Sequence, residues 1–71
     1  MELNLFDVVV LTENIANPKL KRGSMGTIVE ILDENDHVYL VEFSDSKGVG
    51  YAFEELIQSQ LIKVYEQPIA A

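Results

Sequence analysis

The chain has no cysteine and no tryptophan, and only five basic residues. Without cysteine there is no disulfide framework, zinc–thiolate site, iron–sulfur cluster or thiol nucleophile. Five Lys and Arg stand against twelve Asp and Glu, for a net charge of −7. That sign opposes nucleic acid and anionic membranes, which both need basic surface, so neither is an expected partner. The longest purely aliphatic run is Val8-Val9-Val10-Leu11, far short of the roughly 20 residues that span a bilayer. The segment Met1–Asp7 carries two acids and no basic stretch, which is unlike a secretory signal or transit peptide. The expected location is the cytoplasm. No lipidation motif, internal repeat or low-complexity segment is visible.

What is present suits a small folded protein. Apolar residues make 48% of 71 positions and charged residues 24%, a globular rather than disordered profile. The length allows one domain, expected over residues 1–65, with 66–71 as a flexible tail around Pro68. A domain of this size buries only about 60–65% of its unfolded surface. Its thin core calls for a closed sheet, a metal or a partner.

Five extended segments are readable. Asp7–Thr12 is rich in β-branched residues, with Val8 and Val10 on one face and Val9 and Leu11 on the other. Residues 13–23 hold Asn14, Asn17, Pro18 and Gly23 and read as a long loop, with Ile15 and Leu20 placed to tuck into the core. Thr27–Leu32 and His37–Phe43 form an antiparallel pair around the polar turn Asp33–Asp36. Ser44–Gly48 turns again into a short strand, Val49–Phe53, in which Gly50 signals a bulge or a close backbone approach. Glu54–Gln60 fits one helical turn, and Leu61–Tyr65 a fifth strand. The expected fold is all-β: a small five-stranded barrel with one short helical turn before the last strand.

Three stretches carry a family likeness: Asp7–Leu11, Lys21-Arg22-Gly23-Ser24-Met25-Gly26-Thr27-Ile28-Val29-Glu30-Ile31, and Tyr39–Phe43. Together they resemble Src-homology-3-like barrels, the KOW-type subgroup included. More narrowly, residues 3–65 are similar to short bacterial proteins filed as a domain of unknown function. Phe53-Glu54-Glu55-Leu56 followed by Leu61-Ile62-Lys63-Val64 is loosely similar to the closing segment of small photosynthetic electron-transfer accessory subunits with the same barrel outline. The resemblance implies a binding barrel and transfers no catalytic residue. KOW domains often contact RNA, a role the acidic balance argues against.

Candidate sites follow from residue types. His37, the one histidine, comes after Asp33, Glu34 and Asp36; a metal would need several of these to converge, and a solvated turn accounts for them as well. Glu54 and Glu55 are adjacent, so they do not flank a substrate as paired catalytic carboxylates do. No nucleophile elbow or phosphate-binding loop is present. The expectation is therefore a non-enzyme with no cofactor and no resident metal. Lys19, Lys21 and Arg22 gather three of the five cations at the end of the long loop and form one candidate contact. The hairpin forms another: if Glu30 and Glu42 face water, strict alternation turns Val29, Ile31, Tyr39, Val41 and Phe43 inward. The same alternation leaves Ile28, Leu32, Val38 and Leu40 on the outside.

These features imply a protein-interaction module, an adaptor or accessory subunit, whose acidic loops favour a basic protein partner; a homodimer through the hairpin face is the self-association variant. The alternatives are an antitoxin-like or inhibitory partner of another small bacterial protein, and a metal-dependent enzyme built on the 33–37 turn.

Overall fold

A computed structural model describes residues 2–44 and 50–64. Its elements in chain order are strands β1 (Val8–Leu11), β2 (Met25–Asp33), β3 (Val38–Ser44) and β4 (Gly50–Ile57), the 3-10 turn Gln58–Gln60, and strand β5 (Leu61–Lys63). The expected turn at 45–48 and the tail at 66–71 lie outside the described residues.

All pairings are antiparallel, and the five strands form one sheet in the order β4-β3-β2-β1-β5. The all-β expectation holds, with the single helical turn before the last strand. The barrel outline is loose, because the sheet is not closed: β4 and β5 are its two edges. The helical turn is also shorter than expected, because β4 continues to Ile57. Leu56 pairs with Tyr39 and Ile57 with Val38, and Leu56 is buried. The ladder and an apolar contact on one face thus extend the strand through Glu54-Glu55, residues of low intrinsic β preference.

One side of the sheet carries the core. Val9 and Leu11 of β1, Ile28 of β2, Tyr39, Val41 and Phe43 of β3, Leu56 and Leu61 are buried together with Leu3 and Leu20. Gly26 lies opposite Phe43, and Ala52 lies opposite it on the other flank. A large ring is thereby seated between two small residues. The long loop 12–24 folds back as its sequence suggested: Leu20 is buried and Ile15 packs against the core. Polar side chains hold its backbone. Arg22 N–H donates to Asn14 Oδ1 at 2.9 Å, and Lys19 N–H donates to Asn17 Oδ1 at 3.0 Å. Asn17 Nδ2 donates to Glu54 Oε2 at 2.9 Å, tying the loop to edge strand β4. An inward-leaning carboxylate on an edge strand also discourages a foreign strand from pairing there.

Candidate functional site

The loop cations are where the sequence placed them: Lys19, Lys21 and Arg22 are exposed. The turn at Gly23 is left-handed, with φ +92°, a conformation that costs glycine nothing.

The hairpin needs correction. The register of β2 against β3 slips between Ile28 and Glu30 and again between Ile31 and Asp33. Each slip is a β-bulge with an extra residue on β2, and an extra residue exchanges the two faces beyond it. Ile28 therefore points into the core, at 0% exposure, and is not part of any outer surface. Val29, expected inward, is half-buried at the bulge, while Ile31 keeps its inward side and packs on the core. Leu32 is exposed, and Val38 and Leu40 are half-buried on the outer side. Leu40 lies between Glu30 and Glu55 in the cross-strand register. The four aliphatics are thus interrupted by carboxylates and do not make one patch.

The contiguous apolar surface lies at the other end of the sheet. Val10 is the direct cross-strand neighbour of Met25 on one side and Ile62 on the other, and such neighbours share a face. Met25 is 55% and Ile62 53% exposed. One step along, Val64 N–H donates to Val8 O at 2.8 Å, and both residues are exposed. Along that second row the face turns polar: Val8 lies opposite Thr27, Thr27 opposite Glu42, and Glu42 opposite exposed Phe53. The outer face is an apolar strip over β5, β1 and the start of β2, running into a carboxylate-bearing centre. The alternation in Val8–Leu11 already put Val8 and Val10 together; Met25 and Ile62 escaped notice because their strands' registers against β1 are not written in the sequence.

The 33–37 turn offers less. Asp36 N–H donates to Asp33 Oδ1 at 3.0 Å, so one carboxylate serves the turn itself. His37 has a left-handed backbone, φ 56°, which histidine tolerates better than most residues, and its carbonyl accepts from Gln58 N–H. An open depression of about 270 Å³ runs beside Glu2, Asn4, Glu34, His37 and Tyr39. Among the described residues no three Asp, Glu or His side chains gather as metal ligands, and no polar or charged side chain is buried. No described helix is long and apolar enough to cross a membrane.

A family model described as Domain of unknown function (DUF4926) matches residues 5–63. No curated protein and no solved structure matches the chain.

Proposed function

The chain belongs to the family so described, and we propose that it works as a non-catalytic protein-interaction module, an adaptor or accessory subunit docking through the outer face of its sheet. The observation that carries this reading is the cross-strand row Ile62–Val10–Met25, apolar on three adjacent strands and open to water at both ends. We read this row as a contact surface, because adjacent exposed apolar side chains gain by being covered. Full removal of an Ile or Met side chain from water contributes about 1.5–3 kcal/mol, so a few such residues support a specific complex.

The strand order and the single 3-10 turn ahead of β5 support reading the sheet as an opened-out Src-homology-3-like barrel of KOW-like outline. A bacterial, cytoplasmic setting is part of the same proposal. The net charge of −7 supports a basic partner protein, since complementary potentials speed encounter and select partners.

The test is affinity capture from the native host with the wild-type chain and with the paired variant Met25→Lys, Ile62→Lys. Surface changes of this type shift stability by only about 0.5 kcal/mol, so both proteins are expected to fold, as circular dichroism will show. The wild type is expected to retain a partner that the variant loses. Equal capture by a folded variant contradicts the proposal.

A further inference from the structure

Ahead of β1 the backbone makes a tight turn, in which Asp7 N–H donates to Asn4 O at 3.1 Å. Asn4 N–H donates to Asp7 Oδ2 at 2.8 Å, and the Asp7 carboxylate also pairs with Lys63 Nζ at 3.3 Å. Phe6 N–H donates to Ile28 O at 2.7 Å, and Ile28 N–H donates to Asp7 O at 3.0 Å. The turn is thus clamped to both β2 and β5. Its third residue is Phe6, held left-handed at φ 69°. Turns with positive φ at this place take Gly or Asn, and a bulky residue there is a true outlier. Folding does not repay the misfit by burying the ring: Phe6 is 74% exposed, the highest of the exposed large hydrophobics among the described residues, and Leu5 beside it is 47% exposed.

A strained backbone that presents an aromatic ring to solvent points to a role outside the fold. We infer that Phe6 is the anchor of the docking surface, inserting between the apolar side chains of a basic amphipathic segment on another protein. This rests on the interaction-module reading and names the partner's chemistry. Anchors of this kind are most often aromatic and rigidly held. Phe6 lies two residues ahead of exposed Val8, the first residue of β1, which borders the apolar strip already described. The occupant follows from charge. Glu2 and Glu30 are exposed near the turn in sequence and register, Lys63 is engaged by Asp7, and the whole chain carries −7. A second copy would set carboxylates against carboxylates, whereas a lysine-bearing segment meets opposite charge along with apolar contact.

The experiment titrates labelled protein with a synthetic amphipathic helix of leucine and lysine, following amide shifts by NMR. A leucine–glutamate helix and a lysine–serine peptide of equal positive charge serve as controls. The leucine–lysine helix is expected to shift Phe6, Val8 and Val64, and to bind more weakly as salt rises. Phe6→Gly is expected to weaken binding about tenfold or more with a melting midpoint no lower than wild type, because glycine relaxes the turn. Phe6→Tyr is expected to bind as wild type does. The anchor is overturned if Phe6→Gly binds equally well, if either control peptide matches the leucine–lysine helix, if no peptide binds, or if sedimentation shows this face closing a homodimer. Shifts confined to Lys19–Arg22 also overturn the anchor while leaving the module reading in place, which the host-capture experiment addresses separately.

Discussion

Phe43→Ala is expected to destabilise the fold by about 3–5 kcal/mol. Phe43 is at 0% exposure in the middle of β3, between Gly26 of β2 and Ala52 of β4. Neither neighbour has a side chain that can move into the space a lost ring leaves. Truncating a buried phenylalanine costs about 3–5 kcal/mol, with the larger values where the site does not collapse. A chain of 71 residues has a total stability of about 4–10 kcal/mol at typical per-residue values. The substitution therefore removes between about a third and all of the margin. Urea unfolding followed by circular dichroism measures it, and a midpoint close to wild type contradicts the packing described for this core.

Gly26→Ala is expected to be nearly as damaging, for the opposite reason. A β-carbon at Gly26 falls 2.7 Å from Val41 Cγ1, 2.8 Å from Glu42 O and 3.0 Å from Phe43 Cδ1. Methyl and ring atoms can shift; the Glu42 carbonyl belongs to the β2–β3 ladder and cannot withdraw without opening it. Overpacking of this kind costs about 1–3 kcal/mol, here joined to lost ladder geometry. Because Gly26 and Phe43 touch, their effects are coupled: once Phe43 is alanine, the ring contact is gone and only part of the Gly26 penalty remains. A double-mutant cycle by denaturant titration measures this. Simple additivity would mean that the extra methyl meets something other than this pair.

Much of the architecture was legible because local chemistry and tertiary packing agree. Val8–Leu11 alternates as read, Ile15 and Leu20 pin the long loop, and Gly50 lies where β3 and β4 slip register beside Ser44. The errors have physical causes. Nothing in Thr27–Leu32 marks the bulge after Ile28, because Ile28, Val29, Ile31 and Leu32 suit a strand on either face; the core's need for Ile28 decides. The length of β4 was hidden because Glu54 and Glu55 read as helix formers, and cross-strand pairing overrode that preference. Closure of the sheet is a long-range property that strand composition does not encode.

The candidate site was less legible. Lys19, Lys21 and Arg22 are exposed as expected, and Leu32, Val38 and Leu40 do lie outward, yet the continuous apolar strip is built by residues whose neighbours come from distant strands. Ile62 meets Val10 only through β1–β5 pairing. Phe6 gives no local signal at all, since phenylalanine is among the residues least expected at positive φ.

On this proposal, contact is made by the exterior of the sheet rather than by a cleft. Hydroxyl-radical footprinting of the chain, free and in complex with its captured host partner, distinguishes the two, because exposed methionine and aromatic side chains react readily. Met25, Phe6 and Ile62 are expected to lose reactivity on complex formation while His37 keeps its own. Protection of His37 and Tyr39 beside the open depression, with Met25 and Phe6 still fully reactive, would contradict the claim.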